Sequence, residues 1–296
     1  MTMPEHEWLA ERFEEHRTHL RAVAYRMLGS LSEAEDAVQE AWFRLSRSDT
    51  SAVENLGGWL TTVVARLCLD QLRSRKSRRE EPLEPHVPDP VVSREGDSDP
   101  EQQALIADSV GLALLVVLDT LEPAERLAFV LHDMFAVPFD EIAPMVGRSP
   151  AAARQLASRA RRRVQGAAPA PDADLSRQRA VVDAFFAAAR DGDFERLVAV
   201  LDPDIVLRSD GGVLRPATSV VLHGAERVAA QALTFAHLSP YVRPALVNGA
   251  AGVVVAPRGR PFSVMAFTVR EDRIVEIDAV TDPERLARLD LALDDG

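Results

Sequence analysis

Residues 138–164, PFDEIAPMVGRSPAAARQLASRARRRV, restrict this chain more than any other stretch, because two helical patterns are joined there through one glycine. Phe139, Ile142, Ala143 and Val146 recur at helical spacing, and Gly147 then permits a tight turn. Ser149 suits an N-cap and Pro150 the first position of a second helix. At about 100° per residue that helix places Ala153, Leu156, Ala160 and Val164 on one stripe. Ala151, Gln155, Ser158 and Arg162 fall on the opposite side. Small side chains there let a backbone approach base edges, Gln155 suits a base edge, and Arg154, Arg159, Arg161, Arg162 and Arg163 suit phosphates. An ordinary amphipathic helix with a solvated arginine face satisfies the same pattern.

Charge distribution separates these readings. A formal net charge of -12 argues against indiscriminate coating of nucleic acid, yet the bases are clustered. Arg73, Arg75, Lys76, Arg78 and Arg79 form one knot and the arginines after Ser158 form another. Between them Glu80, Glu81, Glu84, Asp89, Glu95, Asp97, Asp99, Glu101 and Asp108 face the single base Arg94. Pro82, Pro85, Pro88, Pro90 and Pro100 disfavour a continuous helix in this tether, and its charge disfavours a core. Two basic elements joined by a polyanionic segment have no obvious use in a simple repressor.

The first piece, residues 1–80, is helical by pattern. Leu20, Val23, Ala24, Met27 and Leu28 mark one helix that Gly29 ends, and Ser32 with Glu35 forms a capping box for the next. That second helix, 33–45, buries Ala37, Val38, Ala41 and Leu45 and leaves Asp36, Gln39, Glu40 and Phe43 outward. A third begins near Gly58 and packs Trp59, Leu60, Val63, Val64, Leu67 and Leu72 before entering the basic knot. Cys68 lies in this run without a partner for a disulfide within the chain, so packing is its expected role. The apolar run 110–118 is far short of the roughly 20 residues of a membrane span, and an acidic N-terminus is unlike a targeting signal. A cytoplasmic protein without a membrane partner is expected.

AYRMLGSLSEAEDAVQEAWFRL followed by GGWLTTVVARLCLDQLRSR resembles sigma region 2 of the extracytoplasmic-function sigma factors, and residues 109–166 resemble sigma region 4. The resemblance implies two all-α domains, at 1–80 and 109–166, joined by the acidic linker 81–108. It implies that Asp36, Gln39, Glu40 and Phe43 dock on the beta-prime clamp of RNA polymerase core, with the beta flap as a second polymerase contact. Arg66, Asp70, Arg73, Arg75 and Lys76 would meet the -10 promoter element. Arg148, Ser149, Arg154, Gln155, Ser158, Arg159 and Arg162 would meet the -35 element. The linker of the family threads basic polymerase channels, which the acidic segment here would suit.

After a short break at 167–174, residues 175–296 open with the amphipathic pattern RAVVDAFFAAARDGD and a short helix, FERLVAVL. The strand-like runs DIVLRS, RPALVNGAAGVVVAP and PFSVMAFTVREDRIVEIDAV follow. Helices ahead of a curved antiparallel sheet imply an α+β cone, and the pattern resembles the SnoaL-like fold. A sigma factor with such an extension resembles group 41 of the family, marked by the linker segment PLEPHV, by Asp210-Gly211-Gly212 and by Asp282-Pro283-Glu284-Arg285-Leu286. Asp210, Gly211, Gly212, Asp282, Pro283 and Leu286 are therefore expected to regulate in cis, with a small molecule in the cone as a candidate ligand.

Relatives of this fold include enzymes, so Asp210, His223, His237, Tyr241 and Asp278 are weighed as a catalytic set. No metal-ligand spacing, nucleophile-base pair or phosphate loop connects them in sequence. Asp210-Gly211-Gly212 reads as a turn and His223-Gly224 as a loop. No catalytic residue, metal or cofactor is expected. The competing functions are a ligand-responsive DNA-binding regulator that works without polymerase and a small-molecule enzyme with nucleic-acid-binding appendages.

Overall fold

The computed structural model describes residues 3–48, 54–77, 86–94, 111–167, 172 and 174–291. The described residues fall into two compact units. One takes in residues from 1–81 and 117–167, the other residues from 82–99, 109–116 and 168–296. The acidic residues 95–108, the bases Arg78 and Arg79, and the first four residues of PLEPHV lie outside the described residues. Among the described residues no helix is long and apolar enough to cross a membrane.

The first unit is helical. Helix α1 (Met3–Leu28) ends where the Gly29 amide donates to the Tyr25 carbonyl at 2.8 Å, and α2 (Leu31–Arg47) begins two residues later. The expected capping box does not form. Ser30, rather than Ser32, occupies the N-cap, no side chain caps the helix, and Glu35 accepts from Arg17 instead. A charge-assisted bond to a guanidinium outcompetes a bond to a backbone amide. Helix α3 (Leu56–Ser77) is capped by Asn55, whose Oδ1 accepts from the Gly58 amide at 2.9 Å.

A second helical group follows: α4 (Leu112–Asp119), which runs from the second unit into the first, then α5 (Pro123–Phe129), which continues into a π-turn at Val130–Met134. Helices α6 (Phe139–Val146) and α7 (Pro150–Ala167) complete the unit. This group packs on the first three helices. Arg126, only 2% exposed, donates from Nε to the Arg26 carbonyl at 3.1 Å, and the Arg26 guanidinium lies 5.0 Å from the Phe135 ring centroid. Lys76 at the end of α3 pairs with Glu122 ahead of α5.

In the second unit, α8 (Leu175–Asp191) is capped by Asp174 and α9 (Phe194–Val200) by Asp193. The seven-stranded sheet comprises β1 (Val92–Ser93), β2 (Leu201–Asp210), β3 (Val220–His223), β4 (Val242–Val247), β5 (Ala250–Val255), β6 (Ser263–Arg270) and β7 (Arg273–Val280). Its order is β1-β4-β5-β6-β7-β2-β3, with β2 and β7 the parallel pair in an otherwise antiparallel ladder. Helix α10 (Ala225–Thr234) joins α8 and α9 over the inner face, around Phe185, Leu197, Ile205, Val228 and Phe267. The helices and the largely antiparallel sheet form the expected α+β domain.

Two expectations fail here. His223 ends strand β3 and does not sit in a loop; apolar alternation in a four-residue strand is too short to register in sequence. The charge of the linker also does not keep its described part out of a core, because Val87, Val91 and Val92 are buried and β1 adds to the edge of β4.

Candidate nucleic-acid, polymerase and regulatory surfaces

The turn between α6 and α7 is made by Gly147 at φ 66°, and the Ser149 hydroxyl accepts from the Ala152 amide at 3.3 Å, capping α7. The buried stripe of α7 is Ala153, Ala157 and Ala160, whereas Leu156 and Val164 are half-buried. Small side chains at i, i+4 and i+7 let the helix lie close on its neighbours. The arginines then divide into two sets. Arg159 donates to Glu125 at 2.7 Å, Arg161 to Asp133 at 2.9 Å and Arg163 to the Thr120 carbonyl at 2.8 Å, so these three brace the helix within its unit. Arg148, Arg154, Gln155 and Arg162 are exposed, and Ser158 is half-buried. Arg154 sits 5.3 Å from the Phe139 ring centroid, which aims it along the start of the helix.

On α2, Asp36, Gln39, Glu40 and Phe43 are all exposed at i, i+3, i+4 and i+7, and Phe43 leaves half its surface to solvent. Glu40 pairs with Arg44 at 3.0 Å. On α3 the buried face is Leu60, Thr61, Val64, Ala65, Cys68 and Leu69. Trp59, Val63, Leu67 and Leu72, expected in the core, are half-buried instead. Trp59, Val63 and Leu67 recur at i and i+4 and share the helix with a line of exposed Arg66, Asp70 and Arg73. Arg75 pairs with Glu33 and Lys76 with Glu122, so the last two residues of the expected -10 set are engaged within the unit. The Cys68 thiol is pushed up to about 12, chiefly by burial.

The described part of the linker is fastened to the second unit by a compact polar cluster. Arg285 donates from Nε and Nη2 to Asp89 at 2.8 and 2.6 Å, from Nη2 to the Val87 carbonyl at 2.5 Å, and from Nη1 to Asp210 at 2.6 Å. The Val87 amide donates to the same Asp210 oxygen at 3.1 Å, and His86 Nδ1 lies 3.4 Å from it. Burial works to raise the Asp210 carboxyl, but bonds from His86 and the Val87 amide and the charge of Arg285 hold it below the ordinary carboxylate value. Further along, the Val91 amide donates to Asn248 Oδ1 at 3.0 Å and the Val91 carbonyl accepts from the Asn248 amide at 2.8 Å.

The two sequence motifs build this cluster. Asp210 ends β2, and its carbonyl accepts from the amides of Thr281 and Asp282. A β-carbon on Gly211 would overlap the Arg215 carbonyl, and one on Gly212 the Asp282 carboxylate, so only glycine allows the two segments this close. Asp282 caps the short helix α11 (Pro283–Leu286) by accepting from the Glu284 and Arg285 amides, Pro283 opens it, and Leu286 anchors it in the core. Arg285 lies inside the terminal motif, but nothing local marked it as the contact. Its linker partners Asp89 and Val87 are nearly 200 residues away, and Asn248-Gly249 signals a hairpin turn but not the contact with Val91.

Residues 12–78 match the family model for sigma-70 region 2 and residues 111–164 that for sigma-70 region 4. Across 287 residues, covering 92% of this chain and 91% of the relative, it is 39% identical to the ECF RNA polymerase sigma factor SigJ of Mycobacterium tuberculosis. The chain belongs to the extracytoplasmic-function (ECF) RNA polymerase sigma factors. It is also 34% identical to a probable ECF sigma factor, SigI, from that organism over 99% of this chain and all of the relative. The crystal structure of M. tuberculosis SigJ superposes with a TM-score of 0.78 at 36% identity, covering 95% of this chain and 99% of that one. These factors direct transcription initiation and are not enzymes. A polymerase-independent regulator and a small-molecule enzyme are correspondingly disfavoured.

The five residues weighed as a catalytic set in this sigma factor do not converge. The cavity of the cone is lined by none of Asp210, His223, His237, Tyr241 and Asp278. Asp210 and Asp278 alternate with cavity-lining Ser209 and Ala279, which puts both carboxylates on the opposite face of the sheet.

Proposed function

We propose that this ECF sigma factor is regulated in cis, through the grip of its SnoaL-like domain on the linker between regions 2 and 4. The observation that carries this reading is the Arg285 guanidinium, which binds Asp210 of the domain together with Asp89 and Val87 of the linker. Holding the linker restricts how far region 4 moves from region 2, and those regions already contact each other through Arg126 and Arg26. Promoter recognition needs them apart, reading the -10 and -35 elements at once. In the released state Asp36, Gln39, Glu40 and Phe43 form the docking face for polymerase core, on which acidic groups suit a basic clamp helix. Arg66, Asp70 and Arg73, joined by Arg75 and Lys76 once their ion pairs open, form the -10 surface. Arg148, Ser149, Arg154, Gln155, Ser158 and Arg162 form the -35 surface, with Arg159 as its rear brace. Gln155 supplies base selectivity there and the arginines supply affinity for phosphate.

In vitro transcription with core polymerase tests the reading. Arg285→Ala and Asp89→Asn should each raise promoter-dependent transcription over the unaltered protein at equal concentration. Unchanged output from both variants, with the linker shown to be released, would remove the regulatory role.

A further inference from the structure

The inner face of the SnoaL-like sheet and helices α8 and α10 enclose a cavity of about 110 Å³. Phe185, Phe186, Leu207, Phe235, Phe262 and Met265 dominate its wall, and none of its lining side chains, among the described residues, is ionisable. Such a space disfavours ions, whose desolvation nothing there offsets, and an apolar cavity of this scale suits a molecule of about one ring. Ser209, Gln231, Ser239 and Ser263 add polar groups to the wall, and one corner carries a hydroxyl pair. Thr218 and Thr281 line it with their hydroxyls 2.7 Å apart.

That corner adjoins the linker grip. The Thr218 hydroxyl lies 2.9 Å from the Arg215 carbonyl, and the Thr281 hydroxyl lies 3.2 Å from the Asp210 carbonyl. The Thr281 amide donates to the same Asp210 carbonyl at 2.7 Å. Arg215 closes the corner, its guanidinium 4.8 Å from the Phe262 ring centroid and bonded to the Phe262 and Thr281 carbonyls. The hydroxyls thus have two protons for three contacts: the one between them and one to each carbonyl.

We infer that this cavity binds a small, neutral, mostly apolar molecule with one oxygen acceptor, and that occupancy opposes docking of residues 86–94. An acceptor placed at the corner accepts a hydrogen bond from the threonine pair. The long bond from Thr281 to the Asp210 carbonyl gives way first, and this loosens the residue whose carboxylate holds Arg285 and the Val87 amide. By linkage, the docked linker weakens binding of the molecule by the same factor. The effect on transcription rests on the regulatory reading above, whereas binding and linker release have readouts of their own.

Acetophenone and benzoate, similar in shape but one neutral and the other anionic, make the test on the full-length protein. Calorimetry should show acetophenone binding at least tenfold more tightly than benzoate. Saturating acetophenone should speed hydrogen exchange at the Val87 amide three- to tenfold. Ala232→Phe, which fills the cavity, should abolish both effects. Thr281→Val should keep binding and lose the faster exchange, and it serves alone if the bulkier variant fails to fold. Absence of acetophenone binding, equal binding of benzoate, or unchanged exchange at saturation would overturn the inference. Failure of Arg285→Ala to alter transcription would instead remove the regulatory reading and leave this result standing.

Discussion

Strand β2 carries two ion clusters two residues apart, and they hold their carboxylates in opposite states. Arg208 binds Glu276 and lies 3.2 Å from Asp278; Arg285 binds Asp89 and Asp210. Each cluster sets one guanidinium against two carboxylates. Asp278 is nevertheless pushed up to about 6, by burial that outweighs the pull of Arg208, while Asp210 is held below its ordinary value. Asp278 lies deeper, so burial weighs more on it, and the donors around Asp210 widen the difference. Asp210 also receives the Val87 and Gly212 amides and His86, and two of these three come from the linker. Ionisation of Asp210 and docking of the linker are therefore one equilibrium, whereas the Arg208 cluster belongs to the sheet itself.

The largest expected effect comes from removing each arginine in turn. Arg285→Ala strips two part-buried carboxylates of their partner, which costs about 3 kcal/mol of docking and speeds Val87 amide exchange on the order of 100-fold. Arg208→Ala should leave that exchange alone and lower global stability in denaturant titration. Equal acceleration in both variants would merge the clusters into one.

Next is Asp278→Asn. Because the folded carboxyl titrates near 6 against an ordinary value of 3.8, the folded protein binds the extra proton, and stability rises as pH falls between those values. The unaltered protein should gain about 1–3 kcal/mol from pH 7 to pH 4 relative to the variant, read from thermal midpoints. A variant with the same pH profile would assign that proton elsewhere.

The smallest effect is Asp210→Asn, which keeps an acceptor but removes charge and costs docking about 1–2 kcal/mol. Here the sign reverses. A depressed carboxyl contributes docking above its ordinary value, and that contribution is lost as pH falls through the folded one. Protection of the linker amides, taken relative to their intrinsic exchange at each pH, should fall in acid in the unaltered protein, and the Asn variant should respond less.

Much of this architecture was legible in sequence. Periodicity located α2, α3, α6 and α7, Gly147 and Ser149 marked the helix-turn-helix, and the face of Asp36, Gln39, Glu40 and Phe43 followed from 3.6-residue spacing. Several failures share one cause, which is tertiary competition for a polar group. Glu35 left its expected cap for Arg17, and Arg159, Arg161 and Arg163 turned from an open basic face to Glu125, Asp133 and Thr120. The charge of the linker argued against a core, yet Val87, Val91 and Val92 are buried. No local pattern reports a groove formed by β4 and α11, and none reports a cavity corner shared by Thr218 and Thr281.

Strand β1 has one further consequence, for solubility. Val92 and Ser93 pair with Val247 and Leu246 and so cover part of an outer strand whose amides and carbonyls would otherwise face solvent. A bare strand edge is a template for pairing with another chain. When the linker leaves, it uncovers that edge and at the same moment frees Val91 and Val92, a short extended segment that already fits it. Under the proposed regulation in cis, the transcriptionally open form is also the form that exposes this edge to a neighbouring chain.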